Sequence, residues 1–205
     1  MNPRAVLREP LTMDDYLSSR MIVPPLRVFD CDYPVNCAAA VVITTAERAR
    51  DLRRPVILVD AMTWSTGPRV DWVFVDDFLY GGEFATAERL WERSSVTVDD
   101  IDVAQIYDGF TTITVSWIEA LGFCGRGGFG DWVDGGKRIG PGGQLPMNTS
   151  GGQLAEGRVH AMGLLNEAVL QLRGECGERQ VEGARVALVA SGLYPQCGGM
   201  ILTTD

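Results

Sequence analysis

Histidine and lysine are almost missing from this chain: His160 and Lys137 are the only examples among 205 residues. One histidine excludes any mechanism that needs two within this chain, and any His-rich metal site. The five cysteines form no Cys-x-x-Cys pair, so zinc-type spacing is absent. They are odd in number and far apart, which argues against a secreted disulfide framework and for reduced thiols in a cytoplasmic setting. No apolar run approaches the ~20 residues of a membrane span. The first ten residues hold two arginines and a glutamate but no apolar stretch, so no signal peptide is expected. Lys137 lacks the glycines and the Ser/Thr that a phosphate-binding loop requires. Positive charge is also short, 18 Lys+Arg against 27 Asp+Glu for a net −9, which speaks against a general nucleic-acid surface.

What is present describes a globular chain. Hydrophobic residues make up 46% and charged residues 22%, both near the globular average. The length is enough to bury a core without a disulfide or metal staple. Glycine is in excess, 24 of 205 or about 12% against a usual ~7%. The excess is concentrated between Gly122 and Gly163. No internal repeat shows.

Residues 1–37 read as an irregular covering segment punctuated by prolines, with a short helix at 13–21 capped by Thr12. The continuous apolar run 38–44 predicts a strand buried on both faces, and 45–52 a capped helix. A second buried strand is expected at 55–61. A helix over 76–92 is expected, broken near Gly81-Gly82. Residues 98–106 enter a third strand, and 107–121 form a helix. A Gly-rich loop spans 124–144. Residues 157–173 make an amphipathic helix with Met162, Leu165, Val169 and Leu172 at helical spacing. Strands at 184–190 and 199–203, joined by 191–198, form an antiparallel pair. Strands alternating with helices predict an α/β fold, a mixed sheet with helices on both faces. Residues 38–205 would make up that domain.

Four segments could carry chemistry, and each has a structural reading beside the functional one. Ile106-Tyr107-Asp108-Gly109-Phe110 stands where a strand hands over to a helix, the usual place for a site in an α/β sheet. Asp108 could equally be a helix cap and Tyr107 a core ring. Leu145-Pro146-Met147-Asn148-Thr149-Ser150-Gly151-Gly152 lets backbone approach a ligand closely, or simply makes a tight turn. In Glu156-Gly157-Arg158-Val159-His160 the histidine opens a long helix, where the dipole would favour a neutral imidazole. It could instead be a lone His packed on the sheet. In Tyr194-Pro195-Gln196-Cys197-Gly198-Gly199 the cysteine sits in a turn, exposed enough to react, with His160 as proton acceptor; Cys31 and Cys37 lie near an apolar run and are expected to be shielded. The alternative is a buried, inert thiol. Gly125-Arg126-Gly127-Gly128-Phe129-Gly130 follows no strand and supports neither a nucleotide fingerprint nor an RNA-binding segment.

In this order the four segments resemble the C-terminal half of the thiolase superfamily; residues 30–49 are similar to the last strand and helix of its N-terminal domain, and the chain from Asp100 onward to its whole C-terminal domain. Asn148-Thr149-Ser150-Gly151-Gly152 with Glu156-Gly157 is the most telling match. The branch it is similar to holds the sterol-carrier-protein thiolases and the lipid-transfer proteins, some of them steroid side-chain aldolases. Thiolases carry Asn-Glu-Ala-Phe, or a His-Asp variant, where this chain has Tyr107-Asp108-Gly109-Phe110, and Gly-His-Pro where it has Gly157-Arg158-Val159. Arg158 thus stands at the catalytic-histidine position and His160 two places beyond. The aldolase branch has tyrosines at the Tyr107 and Arg158 positions, so one is kept and one lost. Cys197 matches the second thiolase cysteine; the first, the acyl-carrying nucleophile, has no candidate here.

The resemblance implies carbon–carbon bond cleavage next to a CoA thioester, a retro-aldol step in steroid or lipid side-chain degradation. It implies Tyr107, Arg158, His160 and Cys197 as catalytic residues. Asp108, Asn148, Ser150, Gly151, Gly152 and Gly198 would line the substrate. No cofactor or metal is implied, since the CoA thioester is the substrate. Arg158 would be the cation that brings the Tyr107 phenol into working range. A non-catalytic thiolase-fold subunit that binds acyl-CoA or scaffolds a partner, or an acyltransferase fragment, remains open. Expected partners are a second copy, an N-terminal half-thiolase, or an OB-fold protein with a zinc ribbon, but neither nucleic acid nor a membrane.

Overall fold

The computed structural model describes residues 2–66, 81–193 and 195–205. The covering segment begins with α1 (Met13–Ser18), where Thr12 accepts the Asp15 amide and Asp15 returns a bond to the Thr12 amide. A two-stranded ribbon follows, β1 (Met21–Val23) and β2 (Leu26–Arg27). Buried Asp30 then anchors the segment. Its carboxylate accepts from the Arg27 amide, the Tyr16 hydroxyl and the Thr111 hydroxyl, the last 81 residues away.

The run 38–44 does not form the expected doubly buried strand. It is coil, with Val42 93% and Ile43 75% exposed. A strand needs a neighbour to take its N–H and C=O groups, and among the described residues no strand pairs with this stretch. Helix α2 (Ala46–Arg50) comes next, capped by the Thr45 hydroxyl.

The central sheet is mixed, as its apolar runs require. It comprises β3 (Ile57–Thr66), β4 (Val103–Ile106), β5 (Val186–Leu193) and β6 (Gln196–Thr204) in the order β3–β6–β5–β4. Among the described residues β4 and β5 run parallel, and β5–β6 and β6–β3 are antiparallel. β3 is longer than the expected 55–61 and is an edge strand that alternates buried and exposed residues from Ala61 onward.

Helices cover both faces. On one side lie α3 (Gly82–Arg93) and α4 (Thr111–Ala120), packed on Ala104, Ile106, Leu188, Ala190, Cys197 and Ile201. Trp117 is fully buried there and donates its indole N–H to the Gly192 carbonyl at 2.9 Å. Gly81 and Gly82 are the cap and first residue of α3, not a break inside it; residues 76–80 of the expected helix lie outside the described residues. The Gly-rich loop holds a short helix, α5 (Phe129–Trp132), followed by a 3-10 turn at Asp134–Gly136. After it come α6 (Gly152–Ala155) and α7 (Met162–Leu172), which covers the other face through Leu164, Ala168 and Leu172 against Val103, Ala187, Val189 and Leu202.

Two helices start later than their periodicity predicts. α4 begins at Thr111 because residues 107–109 form the turn out of β4. α7 begins at Met162 because His160 (φ 45°) and Ala161 (φ 69°) are left-handed. His160 therefore precedes the helix instead of opening it.

Candidate active site

The site is built where β4 ends. Asn148 makes it possible. Its side-chain amide mimics a neighbouring strand, accepting from the Ile106 amide at 2.7 Å and donating to the Ile106 carbonyl at 2.8 Å. Both polar groups of Asn148 are thus used on the scaffold. The clamp brings residues 148–152 alongside Tyr107 and Asp108.

Asp108 is 3% exposed and faces the turn of α6, where it accepts the Gln153 amide at 2.8 Å and the Leu154 amide at 3.4 Å. It caps α6, not α4. Burial pushes its carboxyl up to about 6 even though those amides pull it down. The proton therefore binds the folded chain between about pH 4 and 6, where the unfolded chain releases it. This contribution favours the fold on acidification and disappears as pH rises through 6. We expect the stability gap between wild type and Asp108→Asn to shift by about 1 kcal/mol in favour of wild type from pH 7 to pH 5. Paired thermal melts check the direction; a gap that is flat or widens toward pH 7 contradicts it.

The ring of Tyr107 lies over Gly109, whose added Cβ would come within 2.6 Å of its Cε1. The Tyr107 hydroxyl is 3.5 Å from His160 Nδ1. Beside it stands the side-chain amide of Gln153. Gln153 is 2% exposed, and its Oε1 accepts the Ala161 amide at 3.4 Å.

Asp32 completes the group, and nothing in the sequence singled it out. The covering segment lays it there through backbone bonds: the Asp32 amide to the Gly109 carbonyl, Tyr33 to Gln153, and the Arg158 amide to the Tyr33 carbonyl. Gly157 leaves room for Val35, which would overlap any side chain at that position. The Asp32 carboxylate pairs with Arg158 Nε at 3.4 Å. Burial pushes the Asp32 carboxyl up, against the pull of Arg158 and His160.

This changes the expected part of Arg158. It was to bring the Tyr107 phenol down; instead the phenol is pushed up, first by burial and then by the Asp32 charge. Gln153 and Arg158 offset this only in part. Arg158 is already paired, so it does not act as a lone cation.

Cys197 is a correction. It was expected in an exposed turn within reach of His160. It is fully buried in β6, on the α3 face, against Gly82 and Glu83. Burial and the Glu83 charge push its thiol well above the ordinary range. His160 lies by the opposite, α7 face. The hairpin between β5 and β6 is tight, so the strand begins at Gln196 and period-two alternation turns Cys197 inward. Cys37, expected to be shielded, is exposed. Tyr194 lies outside the described residues.

The remaining sequence-predicted residues divide. Ser150 (2% exposed) and Gly152 are buried and Gly151 half-buried, beneath an N-terminal stretch in which Asn2 donates to the Ser150 carbonyl and to Glu156. Gly198 and His160 both line an apolar groove of about 640 Å³ between β3, β6 and α7 that also takes in Met62, Trp64, Leu165 and Met200. Among the described residues no group of acidic, cysteine or histidine side chains is placed to hold a metal. No helix of the described residues is long and apolar enough to cross a membrane.

A strand-end tyrosine, an Asn–Thr–Ser–Gly–Gly turn clamped to the same strand, and a mixed sheet between two helical layers together define half of a thiolase fold. The chain belongs to the family described as thiolase C-terminal domain-like, whose pattern matches residues 75–203. Among its relatives is a 17-hydroxy-3-oxo-4-pregnene-20-carboxyl-CoA lyase of Mycobacterium tuberculosis, 37% identical over 98% of this chain and 53% of that protein. A steroid side-chain-cleaving aldolase of Thermomonospora curvata is 35% identical over 100% of this chain and 53% of its own length. A solved Ltp2-ChsH2(DUF35) aldolase superposes with a TM-score of 0.88 at 32% identity, over 100% of this chain and 54% of that one. The chain thus spans about half the length of the relatives it matches.

Proposed function

We propose that this chain supplies the proton-transfer half of an aldolase acting on a β-hydroxyacyl-CoA, with a steroid side chain as the acyl class. One observation carries the reading: the Tyr107 hydroxyl stands 3.5 Å from His160 while Cys197 is sealed on the other face of the sheet. The first is what a retro-aldol step needs; the second withdraws the thiol that would serve as proton acceptor in acyl transfer, whose acyl-carrying cysteine has no candidate among these residues. The names of the two bacterial relatives support the acyl class.

In this reading the β-hydroxyl gives its proton to a base formed by Tyr107 with His160. The O–H electron pair closes a ketone as the Cα–Cβ bond breaks, and its electrons move onto the thioester as an enolate, which is then protonated at Cα. CoA enters as part of the substrate and no cofactor is invoked. Five free thiols accord with a cytoplasmic site of action. Cleavage of a tertiary β-hydroxyacyl-CoA, read as ketone released, tests the reaction. The ion pair of Arg158 with Asp32, at the family's catalytic position, favours a second reading. A non-catalytic subunit would bind acyl-CoA and release no ketone.

The groove beside α7 supports a partner. Trp64 and Met62 are each about 60% exposed at its rim, and exposed apolar patches of this kind mark interfaces. The occupant we favour is an N-terminal half-thiolase, because relatives of this chain are about twice its length. A second copy, or an OB-fold protein with a zinc ribbon, would also cover it. We expect the isolated chain not to persist as a monomer at micromolar concentration. Light scattering that gives the single-chain mass would refute this.

A further inference from the structure

Gln153 brings to the surroundings of Tyr107 a buried side-chain nitrogen whose hydrogen bonding is left incomplete. Its backbone is fully engaged: the amide donates to Asp108 and the carbonyl accepts from Tyr33. Its Oε1 accepts the amide of Ala161. Its Nε2 is buried and has no hydrogen-bond partner of ordinary geometry. A buried amide donor without an acceptor is costly, so such a group in a site marks a place where an acceptor forms. Oε1 is held at Ala161, the residue after His160, and His160 Nδ1 is 3.5 Å from the Tyr107 hydroxyl, so the Gln153 amide and the Tyr107 oxygen belong to the same corner of the site.

We propose that Gln153 is a positioning residue that donates its Nε2–H to the Tyr107 oxygen, so that the phenol points its own proton at His160 Nδ1. The result is a directed chain from amide to phenol to imidazole. When Tyr107 passes its proton on, the oxygen gains charge and the Gln153 donor shortens onto it. The charged surroundings of Tyr107 make this donor necessary. Asp32 and Asp108 both oppose a phenolate, and Arg158 is tied to Asp32. Among these neighbours Gln153 is the uncharged group that favours the phenolate without itself titrating. The assignment rests on the aldolase reading only for the use to which the proton is put.

The test reads Tyr107 directly. Fluorinated tyrosine in place of tyrosine brings phenol titration into a range where folds survive, and the ¹⁹F signal lost in Tyr107→Phe identifies Tyr107. Gln153→Leu removes the donor; Gln153→Glu keeps the acceptor for Ala161 and replaces the donor with an anion. Both should raise the Tyr107 midpoint, by about one pH unit for Leu and more for Glu, with a cleavage rate lowered about tenfold or more. If Gln153→Leu does not fold, Gln153→Glu decides, and the side-chain ¹⁵N signal of Gln153 in wild type decides independently. It should move with the Tyr107 midpoint and stay still in Tyr107→Phe. Unmoved Tyr107 midpoints in folded variants, or a Gln153 amide indifferent to Tyr107 ionisation, overturn the proposal. A shifted midpoint in a chain that cleaves no thioester upholds it and sinks the aldolase reading instead.

Discussion

Tyr107→Phe should lower carbon–carbon cleavage by about 10²–10⁴ while moving the melting temperature by only a few degrees. The rate loss is what a positioned general acid–base is worth. The small structural cost follows from what the hydroxyl touches. The ring, which packs over Gly109, is unchanged. The hydroxyl's neighbours are His160, which is exposed and can turn to water, and Gln153 Nε2, which lacks a well-formed bond already. Losing one such hydroxyl costs at most about 1–2 kcal/mol. The raised phenol implies a cleavage rate that climbs on the alkaline side of neutrality. A variant that keeps more than about a tenth of wild-type turnover would remove Tyr107 from the chemistry.

Gly152→Ala should lower stability markedly. Its φ of 59° is left-handed, which costs an L residue roughly 1–2 kcal/mol. Its Cβ would also run into the Asp108 carboxylate, 2.8 Å from Cγ, and sit 3.0 Å from Asn148 Nδ2. Neither neighbour can give way. Asp108 holds the first amides of α6 and Asn148 is clamped to Ile106. Overpacking of this kind costs about 1–3 kcal/mol more, so a melt lowered by roughly 10 °C is the expected outcome. A melt unchanged within error would mean that the Asp108–Gly152 contact is not tight. Gly130→Ala is the control, since nothing lies near the added methyl.

Much of this architecture is legible in the sequence where contacts are local. The strands at 103–106 and 186–193 are apolar runs and are found within a few residues. Thr12 and Thr45 cap the helices they precede. Tyr107 was recognisable because it ends a strand. What escaped depends on distant partners. The run 38–44 reads as a strand, but a strand exists only with a neighbour, and this stretch has none among the described residues. Cys197 before two glycines reads as a turn; its burial follows from how tightly β5 returns as β6. Asp32 carries no local signature, since three long-range backbone bonds place it at Arg158 and Tyr107. Gln153 carries one local signal: it is a long polar residue directly after the Gly-Gly pair, at a position the turn buries.

The most direct test is cleavage of a tertiary β-hydroxyacyl-CoA by the chain, alone and co-expressed with an N-terminal half-thiolase, with no free CoA added. The account predicts ketone and shortened acyl-CoA in equal amounts, no CoA consumed, and at least half the rate kept in Cys197→Ala. Turnover that requires added CoA and disappears with Cys197→Ala would contradict it.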